Sequence, residues 1–109
     1  MEYFEVARIT DLQADTMIKV RHDKCEILLA FVGGAYYALN NRCPHMGGSL
    51  ADGRLEGTTV TCPRHGSSFD IRTGQVLQDP RLLFIKMRVS EAESLPVRID
   101  GEKILVGIG

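Results

Sequence analysis

Two short segments of this chain each combine one cysteine with one histidine, and they constrain its folding more than any other sequence feature. The first has the form C-x-H, with Cys43 and His45, and the second the form C-x-x-H, with Cys62 and His65; 16 residues separate His45 from Cys62. Around them, residues 41–72 are rich in Gly, Pro and Ser and have no long apolar run. Such a region makes little core of its own, so we expect a bound metal group to hold it.

The pairing of one thiol with one imidazole on each loop favours a two-iron cluster over a single metal ion. In such [2Fe–2S] clusters two histidines can replace two cysteines on one of the irons, so each loop gives its cysteine to one iron and its histidine to the other. The alternative is structural zinc on the same Cys₂His₂ set. Zinc motifs usually pair like with like, and C-x-H is a tight chelate for one ion, so we favour the cluster.

Composition narrows the classes of function. The chain has 109 residues, one domain's worth, and a net charge of -1, which gives no reason to expect nucleic acid or an anionic membrane as a partner. The N-terminus has no basic run followed by an apolar core, so no signal peptide is predicted. The 3 cysteines are an odd number, which argues against a disulfide scaffold. We therefore expect a cytoplasmic location.

Short extended runs separated by Gly, Pro, Asn and Asp predict an all-β antiparallel sandwich or barrel. The strongest strand is Cys25–Val32, apolar throughout and so expected to be buried on both faces. A Gly33-Gly34 hairpin follows it. The predicted strands are Phe4–Arg8, Met17–Arg21, Cys25–Val32, Ala35–Asn40, Thr58–Thr61, Leu82–Val89, Leu95–Asp100 and Lys103–Val106, with one helical turn from Ile9 capped by Thr10 and a hairpin turn at Asp100-Gly101.

The two boxes resemble those of Rieske proteins, and the length and flanking strands resemble the soluble Rieske-type ferredoxins. The resemblance is close over residues 41–74 and loose over the rest. It implies one Rieske domain over residues 1–109, with a small cluster-binding subdomain (41–72) inserted in an antiparallel β base (1–40 and 73–109). It also implies one [2Fe–2S] cluster, with Cys43 and Cys62 on the inner iron and His45 and His65 on the outer iron.

Residues beside the ligands separate this chain from one branch of the family. Rieske subunits of cytochrome bc complexes have an extra disulfide, whose positions correspond to Gly48 and Arg64 here, so that bond cannot form. They also have a serine and a tyrosine that bond cluster sulfur; Ser67 keeps the first, and Phe69 replaces the second. The residues expected around the cluster are Met46, Gly47, Gly48, Pro63, Gly66, Ser67 and Phe69.

The resemblance implies an electron-transfer protein rather than an enzyme, taking electrons from a flavin-containing reductase and passing them to a terminal oxygenase. Two alternatives stay open: a small Rieske-like subunit of an assimilatory nitrite reductase, and a cluster-containing interaction or redox-sensing module. Arg42 and Arg64, which flank the ligands, are either solvated charges or docking contacts for an acidic partner surface. The sequence assigns no oligomeric state and no role to residues 88–97.

Overall fold

The computed structural model describes residues 1–44, 47–64, 66–79, 81–82, 85–86 and 90–109, with residues 81–82 and 85–86 described by their strand pairing alone. The described part is built of antiparallel β-strands and two single-turn 3₁₀ helices, Ile9–Asp11 and Leu50–Asp52. In chain order the strands are β1 Glu2–Arg8, β2 Thr16–His22, β3 Cys25–Val32, β4 Ala35–Asn40, β5 Arg54–Glu56, β6 Thr59–Thr61, β7 Ser68–Asp70, β8 Val76–Gln78, β9 Arg81–Leu82, β10 Ile85–Lys86, β11 Ser94–Leu95, β12 Val97–Asp100 and β13 Lys103–Ile108. The all-β prediction is confirmed.

Two sheets make up the base of the molecule. One has the strand order β1-β13-β12 and contains both ends of the chain, and the other has the order β11-β4-β3-β2. Alternate residues of β13, Ile104 and Val106, are fully buried and pack in one core with Ile27 and Leu29 of β3. This period-2 burial is what closes the two sheets over a shared apolar interior.

Strand β3 is buried on both faces, as its continuous apolar sequence predicts. Ile27 and Leu29 point into the base core, whereas Leu28 and Ala30 belong to a second core that contains Cys43 and other residues of the loop region. All four of these β3 side chains have no exposed surface. One strand therefore forms the wall between the base and the region around the cysteines.

A third antiparallel sheet, of order β5-β6-β7-β8, lies between residues 54 and 78. Only β6 was predicted from the sequence. The others are three-residue strands with polar residues, such as Ser68-Phe69-Asp70, and all three of those side chains are nevertheless buried. Burial of polar residues inside short strands gives no alternating pattern to detect. The division of the chain at residues 41–72 stays a prediction.

Both predicted hairpin turns are present in the structure, and one of them is shifted by one residue. Val32 pairs with Ala35, so Gly33 and Gly34, with φ of +61° and +80°, form the predicted two-residue turn. The last hairpin turns at Gly101-Glu102 and not at Asp100-Gly101, because Asp100 is still paired with Lys103. Gly101, which has a positive φ, is a turn residue in both the predicted and the observed hairpin. The pairing of the strands, and not the position of the glycine, therefore determines which two residues form the turn.

Two details differ from the predicted elements. The predicted strand Leu95–Asp100 is interrupted at Pro96. Before Pro96 the chain pairs with β4 as strand β11, and after Pro96 it pairs with β13 as strand β12. Proline has no N–H with which to continue a ladder. The helical turn after β1 is capped by Asp11, whose carboxylate accepts from the Arg8 N–H at 2.8 Å, and not by Thr10.

Part of the predicted strand over 82–89 falls on residues 83–84 and 87–89, which lie outside the described residues. The remainder forms the small antiparallel pair β9–β10, with Leu82 opposite Ile85. Residues 91–93 are a loop, and Ser94 begins β11. Within the described ranges, no helix has the length and apolarity needed to cross a bilayer.

Candidate metal centre

The first cysteine loop leaves β4 and returns beside it. Its ends are joined at Arg42 and Ser49 by an isolated β-bridge. Inside them, the Cys43 N–H donates to the Gly48 carbonyl at 2.7 Å, and the Gly47 N–H donates back to the Cys43 carbonyl at 3.1 Å. Gly47 has a φ of +68°, which an L-residue adopts only with strain. The loop is therefore a tight turn with Cys43 at its closed end.

The second cysteine loop connects two strands of the third sheet. Thr61 of β6 pairs with Ser68 of β7, so residues 62–67 form a hairpin loop. The Cys62 N–H donates to the Ser67 carbonyl at 2.8 Å and closes this loop at its base. Each loop thus begins at a cysteine: Cys62 directly follows β6, and Cys43 lies three residues after the end of β4.

The two loops contact each other through the cysteines. Ser67 Oγ of the second loop lies 3.6 Å from Cys43 Sγ of the first. Gly48 of the first loop also lies close to Cys62 of the second, because a Cβ built on Gly48 would be 3.1 Å from Cys62 Sγ. Cys43 and Cys62 are each about 1% exposed and Ser67 is fully buried. The two thiols that the sequence predicts as ligands therefore lie in one solvent-inaccessible site.

This donor set fits a thiolate-bound iron cluster. Soft thiolates are the ligands that hold iron–sulfur clusters, and a buried site beside a hydroxyl donor shields them from solvent. Glycine at position 48 keeps the space beside Cys62 Sγ open, since a side chain there would crowd the sulfur. The fit rests on the two cysteines and their loops, because His45, Met46 and His65 lie outside the described residues.

The remaining residues expected near the cluster occupy several environments. Phe69 is fully buried and shares a core with Cys43 and Cys62. Pro63 is exposed at the tip of the second loop. A Cβ on Gly48 would lie 3.1 Å from Arg64 Cγ, so positions 48 and 64 face each other, as the resemblance implies for the missing disulfide.

Asn41 joins the base to the first loop, and the sequence reasoning missed it. Its side chain is fully buried. The amide nitrogen donates to Ser49 Oγ at 2.8 Å, and the amide oxygen accepts from the Ala51 N–H at 2.8 Å. Its backbone N–H donates to the Glu26 carbonyl of β3 at 2.9 Å. A polar residue directly after an apolar strand and before a cysteine box was the available signal.

An ion pair fixes the chain that follows the second loop. Arg72 donates from Nε and from its terminal nitrogen to the two carboxylate oxygens of Asp70, at 3.0 and 2.9 Å. These hydrogen bonds hold the pKa of Asp70 below its usual value, against the opposing effect of burial. Bidentate pairing of this kind orients both groups. It stabilises the turn at the end of β7.

Charged groups surround the first loop. The side chains of Arg42 and Arg64 are exposed, and within the described ranges neither forms a salt bridge. Glu91 and Glu93 line a cavity of about 450 Å³ together with Cys43 and Arg42. Cys25 is only partly buried, and it lies at the start of β3 opposite His22, in the other core.

Comparison with known proteins agrees with this geometry. Residues 2–87 match the family model of the Rieske [2Fe-2S] domain. A curated relative, the ferredoxin component of the naphthalene 1,2-dioxygenase system of Pseudomonas putida, is 33% identical over 100 residues, which cover 92% of this chain and 96% of the relative.

Solved structures agree in fold over nearly the whole chain. The ferredoxin of carbazole 1,9a-dioxygenase from Nocardioides aromaticivorans superposes with a TM-score of 0.78 at 28% identity, covering 97% of both chains. A chain from a complex of reduced oxygenase and oxidized ferredoxin in carbazole 1,9a-dioxygenase gives a TM-score of 0.83 at 25% identity, covering 95% of this chain and 91% of that one. The predicted fold and the predicted [2Fe–2S] cofactor are thereby confirmed, and this chain belongs to the Rieske [2Fe–2S] domain family.

Proposed function

We propose that this protein is the ferredoxin component of an oxygenase system and passes single electrons from a flavin-containing reductase to a terminal oxygenase. The relative named above is a dioxygenase ferredoxin of nearly the same length, which carries the proposal. The solved complex of an oxygenase with its ferredoxin supports the choice of acceptor. These similarities favour a carrier over a nitrite reductase subunit or a sensing module.

We infer that Cys43 and Cys62 hold one iron of the cluster, and that His45 and His65 hold the other. The juxtaposition of the two buried thiols supports the cysteine half of this set. The bound cluster supplies a centre that accepts and releases one electron at a time. The protein chain holds the thiolates in place, excludes water from them and leaves the tips of both loops accessible, with Pro44 and Pro63 exposed.

The Ser67 hydroxyl should tune the reduction potential. A ligating thiolate can only accept, so Ser67 Oγ, 3.6 Å from Cys43 Sγ, is the donor of that contact. Donation stabilises the more negative, reduced form. Ser67→Ala should therefore lower the midpoint potential by roughly 60 mV, which is a tenfold change for one electron. Voltammetry measures it, with Ser68→Ala as a control in the next buried serine; equal shifts in both variants would contradict this role.

A reconstituted electron-transfer assay tests the function. The purified protein, the flavin reductase and the terminal oxygenase of the same organism are combined with NADH, oxygen and an aromatic substrate. We expect the cluster to be reduced by the reductase and reoxidised by the oxygenase, with product formation dependent on this protein. Reduction without any reoxidation by the oxygenase would remove the carrier proposal and favour a sensing role.

The exposed Arg42 and Arg64 should steer the protein onto an acidic partner surface. Reversing both charges to glutamate should slow electron transfer roughly tenfold at low ionic strength, and salt should reduce the difference. Stopped-flow rates against ionic strength measure this. The control reverses Lys19 and Lys103, which are exposed on the base, and so changes the net charge equally. If both pairs slow transfer alike, net charge and not docking explains the effect.

We also propose a cytoplasmic location. All three cysteines are described, and none forms a disulfide, which suits a reducing compartment. Cell fractionation with detection of the cluster by its absorption would test this, and recovery in a periplasmic or membrane fraction would contradict it.

A further inference from the structure

Residues 91–93, which we call the strap, join two parts of the molecule that flank the cysteine loops. The Ala92 N–H donates to the Gly74 carbonyl at 2.8 Å, in the turn that follows β7. The Asn40 N–H at the end of β4 donates to the Glu93 carbonyl, also at 2.8 Å. Ala92 is only 4% exposed and packs in the same core as Cys43 and Cys62. The strap therefore connects the chain before the first cysteine with the chain after the second.

A relay of hydrogen bonds leads from the strap to the first cysteine. Asn40 Nδ2 donates to Glu93 Oε1 at 3.2 Å. Asn40 Oδ1 accepts from the N–H of Arg42 at 3.0 Å, and Arg42 precedes Cys43. An ionised carboxylate can only accept, so Glu93 selects the orientation in which the amide nitrogen faces the strap and the amide oxygen faces the loop.

We propose that Glu93 is a positioning residue for the first cysteine loop, acting through the Asn40 amide on the backbone beside Cys43. This inference rests on the proposed ligand role of Cys43. It gives Glu93 a role that the sequence did not indicate. The backbone bond between Asn40 and Glu93 holds the strap in place whatever side chains are present, so the side-chain relay can be altered separately.

Glu91 supplies a matched control. It lines the same cavity as Glu93 and has the same charge, but it makes no hydrogen bond to another described residue. Replacing either glutamate removes one negative charge near the first loop, which should raise the midpoint potential in both cases. Only replacement of Glu93 also removes the acceptor for Asn40.

The experiment compares Glu93→Ala, Glu93→Gln and Glu91→Ala in the cluster-loaded protein. Hydrogen exchange of a peptide over residues 40–44, measured by mass spectrometry, should be about threefold to tenfold faster in Glu93→Ala. This factor corresponds to the net free energy of one hydrogen bond. The electron paramagnetic resonance lines of the reduced cluster should broaden in the same variant. Glu93→Gln keeps an acceptor and should restore both readouts, and Glu91→Ala should change neither.

A polarity swap separates positioning from general loss of stability. In Asn40→Asp, two carboxylates face each other, and the relay should break. Adding Glu93→Gln gives the aspartate a donor and should restore exchange and line shape in the double variant. Equal exchange in Glu93→Ala and Glu91→Ala, or no rescue in the double variant, would overturn the proposal. A change in exchange with an unchanged cluster spectrum would show that the relay orders the backbone without positioning the cysteine, and would also overturn the proposal, whereas the ligand role of Cys43 is tested separately by the iron content of Cys43→Ser.

Discussion

Replacement of Cys43 or Cys62 by serine is expected to abolish cluster binding, with iron and acid-labile sulfide falling from two per chain to near zero. Serine is a poor ligand for iron compared with thiolate. Both sulfurs lie in a site about 1% exposed, where no other described thiol can replace them. Cys25→Ser is the matched control, because Cys25 lies in the base core and should leave the cluster intact.

The histidine half of the ligand set is tested in the same series. His45→Ala and His65→Ala should also lose the cluster, whereas His22→Ala, which removes a ring stacked on Phe4 at 3.9 Å, should retain it. Iron analysis and visible absorption distinguish the variants. One zinc per chain and no colour in the unmodified protein would contradict the whole ligand assignment.

Loss of the cluster should also report on the division of the chain. If residues 41–72 depend on the metal group for order, hydrogen exchange in the cluster-free Cys43→Ser protein should rise there far more than in residues 1–40 and 73–109. An equal rise in both parts would contradict the proposed inserted subdomain.

A methyl group at Gly74 is expected to destabilise the protein far more than one at Gly34. Both glycines have nearly the same φ, +81° for Gly74 and +80° for Gly34. A Cβ on Gly34 meets no atom within 4 Å, so Gly34→Ala should cost only the strain of positive φ, about 1 kcal/mol. A Cβ on Gly74 would overlap the Ala92 carbonyl oxygen, which is backbone and cannot rotate away.

The expected total for Gly74→Ala is about 3 kcal/mol, because overpacking against backbone adds to the conformational strain. Thermal melts at one fixed scan rate should fall by roughly 5 °C for Gly34→Ala and roughly 15 °C for Gly74→Ala. Melting temperatures that agree within a few degrees would show that the strap can move away from Gly74 at little cost.

The base could be predicted from the sequence because its signals are local. Strand β3 is a continuous apolar run, and Gly33-Gly34 specifies a turn, so the bounds Cys25–Val32 and Ala35–Asn40 agree with the structure. The cysteines are predicted as ligands because their spacing has chemical meaning, and the structure places both in one buried core. Pro96 was misread because apolar alternation continues across it, although it is where the chain changes sheets.

The supporting parts of the site could not be predicted in detail, because a polar residue beside a cysteine loop indicates a role but not its hydrogen-bond partners. Asn41 acts through Ser49 and Ala51, and Glu93 acts through Asn40, more than fifty residues away. Nothing in the local sequence of either residue indicates a partner. Such relays exist only after the sheets have brought their members together.

The wall formed by β3 has a consequence for the speed of electron exchange. Leu28 and Ala30 face the core that holds Cys43 and Cys62, while Ile27 and Leu29 face the base, so the redox centre rests on a close-packed support. Atoms packed in this way shift little when one electron arrives or leaves. The nuclear rearrangement that accompanies each oxidation or reduction should therefore be small, which lowers the activation barrier for transfer to either partner.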